Sequence, residues 1–412
     1  MGTLRQDAQV IMNAALKAAQ PDEAVRKALS GLHVDGRGRL VLVAVGKAAW
    51  RMADAAVNLL GDRVDDGVVI TKYGHACGPL PHLHIFEAGH PVPDENSYMA
   101  TERAVELVKD LCAEDTVVFL ISGGGSALFE KPLIPAEELG DLTKQLLASG
   151  ADIVEMNTVR KRLSAVKGGR FAQICAPARV VSVVLSDIIG DPLDMIASGP
   201  AYPDGSTAEQ ALAIVKKYGL TLPDATLALL RKETPKTLNN TETHVTGSVR
   251  QLCRAAETAC RELGYESAVL TASLCCNAGD AGSFLASIAQ YHGEDGRSLA
   301  FIAGGETVVK LTGTGLGGRN QEIALSAAQG IAGMPDTAVF SLGSDGTDGP
   351  TDAAGGYCDG TTLARLKAAG FDLAAALRTN DSYHALKAVD GLIVTGPTGT
   401  NVNDVSVLLI KR

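Results

Sequence analysis

The 412-residue sequence has few aromatic residues, no excess of positive charge and no long apolar run. Phe, Trp and Tyr make up 4% of it, and the formal net charge at pH 7 is −10. Surfaces that bind nucleic acid need a basic patch, and those that bind single strands also need aromatic stacking platforms. No stretch approaches the ~20 apolar residues that cross a bilayer. These absences argue against a nonspecific nucleic-acid-binding protein and against a membrane protein.

The eight cysteines form no CxxC pair, and most of them lie in apolar segments. In a chain of this length, that pattern argues against a disulfide scaffold and against a zinc ribbon. The N-terminus has no continuous apolar segment of the kind found in signal peptides. Gln6 stands where N-myristoylation requires Ser or Thr. We therefore expect a cytoplasmic protein with reduced thiols.

Short apolar strands, glycine-containing turns and helices alternate along the chain. This rhythm predicts an α/β fold with a doubly wound, mainly parallel, Rossmann-like sheet. A chain of this length exceeds one ordinary core, which favours two domains. The polar stretch 234–243 interrupts the rhythm. We therefore predict an N-terminal domain at 1–240 and a C-terminal mixed α/β domain at 241–412.

A glycine loop follows the buried apolar strand 117–121. The loop consists of Ser122, Gly123, Gly124, Gly125 and Ser126. Three consecutive glycines allow backbone N–H groups to point towards one ligand, and a helix that begins there adds its positive dipole end. The loop is therefore a candidate phosphate site. A tight connection between strand and helix is the alternative, and the loop alone leaves both open.

Lys47 follows the strand 39–45 and precedes a helical segment that begins at Ala48. In open α/β sheets, ligands bind at the carboxyl ends of the strands. The position therefore makes Lys47 a candidate for an anionic ligand, beside the alternative of a solvated turn lysine. The sequence is not a P-loop, because GxxxxGK[ST] is absent.

Five basic residues lie between positions 157 and 170. Arg160, Lys167 and Arg170 can share one helical face if the helix extends that far. A solvated face and a clamp for a carboxylate or phosphate both fit this pattern. His90, in the turn 88–94, is a candidate to line the site, although a structural role also fits it.

Acidic residues follow two other predicted strands. Asp187 and Asp191 come after the strand 180–185, where α/β enzymes place metal ligands or general bases; helix N-capping is the alternative. Asp345 belongs to a loop with three aspartates among glycines. That composition is typical of a site for a hard cation, and equally of an Asx-rich turn.

The loop 312–318 matches GxGxxG through Gly313, Gly315 and Gly318. The match is weak, because a dinucleotide site also needs an acid at the end of the next strand. The nearby Asp336 precedes that strand instead, so NAD binding is disfavoured but retained. Arg319 follows the loop directly, at the predicted start of a helix, where it could donate two hydrogen bonds to a phosphate.

Nine motifs, in order along nearly the whole chain, resemble those of the class II glycerate kinases, or glycerate 2-kinases, whose C-terminal domain is called MOFRL. The motifs are VAVGKAA at 43–49, AGHPVPDENS at 88–97, SGGGSALFEKP at 122–132, NTVRKRLSAVKGG at 157–169, LSDIIGDPLDMIASGP at 185–200, GGETVV at 304–309, GLGGRNQE at 315–322, GSDGTDGPTDAAGG at 343–356 and GPTGTNVND at 396–404.

This resemblance implies ATP-dependent phosphorylation of D-glycerate to 2-phospho-D-glycerate, with Mg²⁺, in a cleft between two domains. It places the protein in glycerate, hydroxypyruvate and tartrate metabolism. Similar proteins also carry the name hydroxypyruvate reductase, so NAD(P)H-dependent reduction of hydroxypyruvate is the alternative. A non-catalytic binding protein for small acids is the third hypothesis. The expected partners are D-glycerate and a nucleotide, and a homodimer is compatible with the sequence, which leaves the oligomeric state open.

The resemblance also implies roles for individual residues. Lys47 and Arg319 match positions that the family uses for activity, one from each domain. We assign the other roles as follows: Asp187 and Asp191 to catalysis, Ser122, Gly123, Gly124, Gly125, Ser126, Gly315, Gly317, Gly318 and Asn320 to the nucleotide, Arg160, Lys167 and His90 to the substrate, and Asp345, Asp187 and Glu306 to the metal.

Overall fold

A computed structural model describes residues 3–32, 38–186, 188, 190 and 192–412. Two of the residues assigned to catalysis, Asp187 and Asp191, lie outside the described residues. Their roles therefore stay predictions.

The chain forms two compact units. The C-terminal unit comprises the described residues of Met1–Glu23 and Ser186–Gly190, together with Gly247–Arg412. The N-terminal unit comprises the described residues of Ala24–Leu185 and Asp191–Thr246. This division differs from the predicted domains, since the first residues of the chain belong to the C-terminal unit. The predicted cleft between domains stays a prediction.

The strands are β1 Leu40–Val45, β2 Asp66–Lys72, β3 Leu83–Ala88, β4 Thr116–Ile121, β5 Arg179–Leu185, β6 Thr241–Gly247, β7 Glu266–Leu274, β8 Leu299–Gly305, β9 Thr337–Gly343, β10 Gly355–Asp359, β11 Leu392–Ile393 and β12 Asp404–Ile410.

The α-helices are α1 Leu4–Ala18, α2 Pro21–Leu29, α3 Ala49–Leu60, α4 Glu95–Val108, α5 Gly125–Leu128, α6 Ala136–Ala148, α7 Ile153–Arg160, α8 Arg170–Cys175, α9 Ala208–Tyr218, α10 Asp224–Leu230, α11 Val249–Glu262, α12 Ala278–Tyr291, α13 Arg319–Gly330, α14 Thr362–Ala368, α15 Leu373–Arg378 and α16 Ser382–Lys387. Short 3₁₀ turns lie at Gly61–Arg63, Lys161–Leu163 and Ile196–Ser198. Within the described chain, no helix combines the length and the apolar character that a bilayer crossing requires.

The first sheet has the strand order β3-β2-β1-β4-β5-β6. Its pairings β3–β2, β2–β1, β1–β4 and β4–β5 are parallel. Every residue of β1 and β4 is buried, which is typical of parallel strands that are covered on both faces. The predicted α/β class with a mainly parallel sheet is confirmed. The strand order reverses between β1 and β4, and ligands of open α/β sheets bind at such a switch point.

The second sheet has the order β11-β10-β9-β12-β8-β7. Only β7 and β8 pair in parallel among its described pairings, and the others are antiparallel. The predicted mixed sheet is therefore confirmed. Asp404, the first residue of β12, pairs with Gly305 on β8 and with Gly343 on β9, so it lies at the end of three central strands.

Helix α1 belongs to the C-terminal unit because its apolar face packs there. Ile11 and Met12 are buried, and α1 contacts α11. Tyr265 donates a hydrogen bond of 2.6 Å to the buried carboxylate of Asp7, and Lys411 forms an ion pair of 2.6 Å with the same oxygen. The two ends of the described chain are thereby held in one unit.

Candidate active-site residues

In the N-terminal unit, Lys47 lies beside the glycine loop at the switch point. The backbone N–H of Lys47 donates a hydrogen bond of 2.9 Å to the carbonyl oxygen of Gly123. The N–H of Ala48 donates one of 3.1 Å to Oγ of Ser122. These bonds join the turn after β1 to the turn after β4. The two motifs that the sequence analysis singled out are therefore neighbours.

The glycine loop keeps three backbone donors open. Among the described residues, the N–H groups of Gly123, Gly124 and Ser126 have no hydrogen-bond acceptor. Gly124 has a φ of 87°, a left-handed conformation that favours glycine. The loop can therefore offer N–H groups to an anion. Because it has no basic side chain of its own, the positive charge must come from residues such as Lys47.

His90 lies against the same loop. A methyl group in place of the Gly124 hydrogen would lie 3.0 Å from the His90 ring and 3.3 Å from Cγ of Lys47. Burial lowers the pKa of His90, and the charges of Lys47, Lys72 and His75 lower it further. The imidazole is consequently neutral at pH 7, so that it can accept a hydrogen bond or a proton.

Arg160, Lys167 and Arg170 do not share one helical face, because the helix does not extend far enough. Helix α7 ends at Arg160, a 3₁₀ turn follows, and α8 begins only at Arg170. Three of the five basic side chains in this run are almost fully buried: Lys161, Arg162 and Lys167. Lys161 and Arg162 both form ion pairs with the buried Asp204. Most of the run is therefore an internal ionic cluster rather than a solvated face.

Arg160 and Lys167, the two candidates for the substrate carboxylate, differ in their surroundings. The ammonium group of Lys167 is fully buried, forms an ion pair of 3.1 Å with Glu130 and donates to the carbonyl oxygens of Ser126 and Phe129. This geometry favours a structural role for Lys167. Arg160 is only partly buried, and its Nε has no hydrogen-bond partner in the described part of the chain. Arg160 is the better candidate.

A strained turn, which the sequence analysis missed, packs on the glycine loop. Ala197 and Ser198 have φ values of 50° and 62°, which are rare for residues other than glycine. Oγ of Ser198 lies 2.6 Å from Oγ of Ser126. Ala197 and Ser198 are both buried. The only sequence signal for this turn was the motif that ends at Pro200, because backbone strain has no signature in composition.

The C-terminal unit contains a cavity of about 820 Å³. Its lining includes the apolar or weakly polar residues Cys275, Val308, Val309, Leu311 and Pro350. It also includes four glycines, Gly313, Gly315, Gly317 and Gly318. Its charged lining consists of Arg319, Glu306, Glu322, Asp345 and Asp348. A cavity of this size accommodates a drug-sized ligand, which is also the size of a nucleotide.

Arg319 is the only basic side chain among the described residues that line this cavity. Its Nε and Nη2 donate hydrogen bonds of 2.5 Å and 3.1 Å to the two carboxylate oxygens of Asp404. Its Nη1 donates one of 3.0 Å to Glu306. The guanidinium is therefore held in a planar fork at the start of α13, where the sequence analysis placed it.

The glycines of the loop 312–318 have a packing role. The N–H groups of Gly313, Gly315 and Leu316 donate to the segment 379–381 rather than to the cavity. A Cβ on Gly318 would lie 2.3 Å from Cγ of Asp348, so no larger residue fits. These contacts explain the glycines without a dinucleotide. The predicted contacts of Gly315, Gly317 and Gly318 with a nucleotide stay predictions, and all three line the cavity.

Asn320, assigned to the nucleotide, is fully buried. Its backbone N–H and its side-chain Nδ2 donate to Asp348, and its Oδ1 accepts from Ser341. This geometry favours a structural role for Asn320. The Asp348 carboxylate also accepts from the N–H of Gln321 at 2.8 Å, so it caps the N-terminus of α13. Burial raises the pKa of Asp348 to about 6.

Asp345 and Glu306, two of the residues assigned to a metal, both line the cavity. The described residues contain no group of three or more His, Cys, Asp and Glu side chains with the geometry of a metal site. Asp345 accepts from the N–H of Thr347 at 3.0 Å, as in an Asx turn. Two carboxylates can still hold Mg²⁺ when phosphate oxygens and water supply the other ligands. The predicted metal site stays a prediction.

Comparison with known proteins matches both halves of the chain. Residues 7–231 match a domain of unknown function (DUF4147), and residues 299–404 match the MOFRL family. A D-glycerate 2-kinase of Thermotoga maritima is 52% identical over 99% of each chain. A putative hydroxypyruvate reductase of Agrobacterium vitis is 41% identical over 98% of this chain and 94% of its own. The crystal structure of a glycerate kinase of Thermotoga maritima aligns with a TM-score of 0.95, at 51% identity and over 99% of each chain.

Proposed function

Since the chain belongs to the glycerate 2-kinase family, with a DUF4147 and a MOFRL domain, we propose that it transfers the γ-phosphoryl group of ATP to D-glycerate. The products are 2-phospho-D-glycerate and ADP. The relative from Thermotoga maritima named for this activity aligns over 99% of both chains, so the proposal concerns the whole protein and not one domain of it.

The observation that carries the proposal is the arrangement at the switch point of the first sheet. Lys47, the three open N–H groups of the glycine loop and the neutral ring of His90 lie together there. Phosphoryl transfer depends mainly on positioning and on neutralising charge on the transferred group. The ammonium group of Lys47 and the N–H groups of the loop are suited to bind a phosphoryl group. The neutral imidazole of His90 is suited to accept a hydrogen bond from a hydroxyl group.

The nucleotide fits the cavity of the C-terminal unit. The exposed side chains of Val308 and Leu311 offer an apolar surface to the base, and Arg319 offers a cation to the phosphates. Carboxylates outnumber Arg319 in this lining, so a divalent cation strengthens the binding of an anionic nucleotide there. Asp345 is the carboxylate that we assign to Mg²⁺. When bound, the metal would neutralise phosphate charge and orient the phosphate chain.

The substrate carboxylate is assigned to Arg160, which has an unpaired Nε among the described residues. In the reaction, the bond between the γ-phosphorus and its bridging oxygen breaks, and a bond from the substrate C2 oxygen to phosphorus forms. The hydroxyl proton passes to a base. His90 is neutral and can accept it, while Asp187 and Asp191 stay predicted candidates. Lys47 neutralises charge that develops in this step, and Arg319 binds the phosphates of the nucleotide in its cavity.

Reduction of hydroxypyruvate by NAD(P)H fits the geometry less well. A dinucleotide pyrophosphate needs open N–H groups at a helix N-terminus. Three N–H groups of the 312–318 loop are taken by the segment 379–381, and the Asp348 carboxylate caps α13. A carboxylate in that place repels the pyrophosphate of NAD(P)H, which binds without a metal ion, whereas we place the ATP phosphates at Arg319 together with Mg²⁺.

The test is to incubate the purified protein with D-glycerate, ATP and Mg²⁺ and to follow ADP release. We expect ADP in equal amount to 2-phosphoglycerate, which ³¹P NMR distinguishes from the 3-phosphate. NADH oxidation on hydroxypyruvate without ADP release would establish the reductase instead. Ligand binding without turnover of either substrate would leave a binding protein.

A further inference from the structure

Two carboxylates of different exposure hold Arg319. Asp404 contacts it through two hydrogen bonds, and the Asp404 side chain is only 7% exposed. Glu306 contacts it through one hydrogen bond, and the Glu306 side chain is 46% exposed. A buried, bidentate ion pair is costly to separate, because separation leaves an unpaired charge away from water. A solvated ion pair is exchanged easily.

The two carboxylates also differ in the backbone that carries them. Asp404 is the first residue of β12, and in the sheet it pairs with Gly305 on β8 and with Gly343 on β9. Glu306 follows Gly305 at the point where β8 ends, and its side chain lines the cavity. Asp404 is thus part of a rigid frame, while the side chain of Glu306 can turn away without breaking a strand pairing.

We propose that Asp404 is a positioning residue that fixes Arg319 at the cavity, and that Glu306 is a resident partner which a nucleotide phosphate replaces on Nη1. The inference rests on the proposed function only in naming the ligand. A phosphate oxygen and a substrate carboxylate oxygen offer Nη1 the same chemistry. The volume of about 820 Å³ favours the nucleotide, because D-glycerate has only seven non-hydrogen atoms.

The proposal predicts opposite effects for the two carboxylates. Glu306→Gln removes the competitor, so ADP should bind about two- to five-fold tighter without Mg²⁺. Asp404→Asn loosens the fork and leaves Arg319 less oriented, so ADP should bind at least ~30-fold weaker, with partial recovery in Asp404→Glu. Isothermal titration calorimetry with ADP, and in a second arm with D-glycerate, measures both effects.

A double-mutant cycle separates exchange from a general effect of charge. If Glu306 competes for Arg319, Glu306→Gln should have no effect on ADP binding in an Arg319→Ala background. The matched control is Glu266→Gln, which removes one of the two acidic partners of Arg297 in an exposed ion pair outside the cavity, and which should leave ADP binding unchanged.

Three results would overturn the proposal. Equal tightening by Glu306→Gln with and without Arg319 would show a charge effect only. Weaker binding in Glu306→Gln, confined to solutions with Mg²⁺, would make Glu306 a metal ligand. If the substitutions change the affinity for D-glycerate but not the affinity for ADP, the cavity binds D-glycerate and not the nucleotide. If Asp404→Asn does not fold, Asp404→Glu tests the positioning role, since unchanged ADP affinity in that variant would refute it, and the Glu306 and Arg319 cycle tests the exchange. If the protein binds ADP as predicted but forms no ADP from ATP in the presence of D-glycerate, the proposed function is refuted and the inference on Arg319 stands.

Discussion

At the scale of single residues, Arg160 and Lys167 show how burial assigns roles to similar side chains. Both are basic and both belong to one motif, but Lys167 is fully buried, whereas Arg160 is partly exposed. We predict that Arg160→Gln raises KM for D-glycerate at least ~10-fold and leaves KM for ATP unchanged, because it removes a charged hydrogen bond. Steady-state kinetics with each substrate varied in turn checks this, and an equal rise in both KM values would contradict it.

Lys167 should behave differently under substitution. Lys167→Met leaves the buried Glu130 without its partner, which costs ~3–5 kcal/mol of folding stability. We expect a lower unfolding midpoint in urea, and recovery of much of the loss in the double variant Lys167→Met, Glu130→Gln. If Lys167→Met has normal stability and a raised KM for D-glycerate, Lys167 binds the substrate and its structural role is refuted.

Lys47 is the charge at the switch point. Lys47→Ala should lower kcat at least ~10-fold, because it removes charge stabilisation in the transition state. Lys109→Ala is the matched control, since Lys109 is an exposed lysine paired with Glu106. Assays of ADP release for both variants make the comparison, and full activity in Lys47→Ala would remove Lys47 from the site.

The sequence predicted these positions better than their environments. A strand followed by Gly46 and Lys47 is visible in the order of residues, because hydrophobic runs and glycines are local signals. The burial of Lys161 and Arg162 is not visible, because it depends on Asp204, which is more than forty positions away. Long-range ion pairs have no local pattern.

At the scale of elements, the N-terminus of α13 carries a titratable cap. The pKa of Asp348 is about 6 in the folded protein and ordinarily 3.8. The folded state therefore holds a proton that the unfolded chain releases at lower pH, and the free energy of unfolding falls as pH rises through this window. Asp348→Asn has no titrating carboxyl group at this position. Between pH 4.5 and 7, the free energy of unfolding of the wild type should therefore fall by ~2 kcal/mol relative to that of the variant.

Urea unfolding of wild type and Asp348→Asn at both pH values measures this difference, in which the other titrating groups cancel. A constant difference between the two proteins would show that Asp348 titrates at its ordinary pKa. A difference of opposite sign would show that the hydrogen bonds from α13 outweigh the burial of the carboxylate.

Strands with a clear hydrophobic pattern were predicted. Strands that form only because they pair with other strands of the sheet were missed. The strands β1, β4, β5, β9 and β12 follow from largely apolar runs. Strand β6 was missed, because TETHVTG is polar and reads as part of a linker; it forms by pairing at the edge of the first sheet. Strand β10 was missed because its two glycines disfavour a strand. Gly355 fits closely against β9, where a Cβ would lie 1.9 Å from the Ser341 carbonyl oxygen, and Gly356 fits against Ala324 of α13.

At the scale of the whole molecule, α1 should stabilise the C-terminal unit although it comes first in the chain. Ile11→Ala removes a buried side chain from that unit and should cost ~2–5 kcal/mol. Hydrogen exchange should then show faster amide exchange in α11 and in β7 and β8, with unchanged protection in β1 and β4. The reverse pattern would place α1 with the N-terminal unit, as the domain boundary at residue 240 predicted.

The capture of α1 by the C-terminal unit also bears on the order of events on the ribosome. Synthesis proceeds from the N-terminus, yet the helix and strand that contact α1 lie beyond Gly247, and Lys411 follows its partner Asp7 by about four hundred positions. The N-terminal unit is fully synthesised by Thr246 and can fold first. At ~5–20 residues per second, α1 waits on the order of 10 s with its apolar face uncovered. Nascent-chain complexes stalled at Thr246 should therefore leave α1 open to proteolysis, and release of the full chain should protect it.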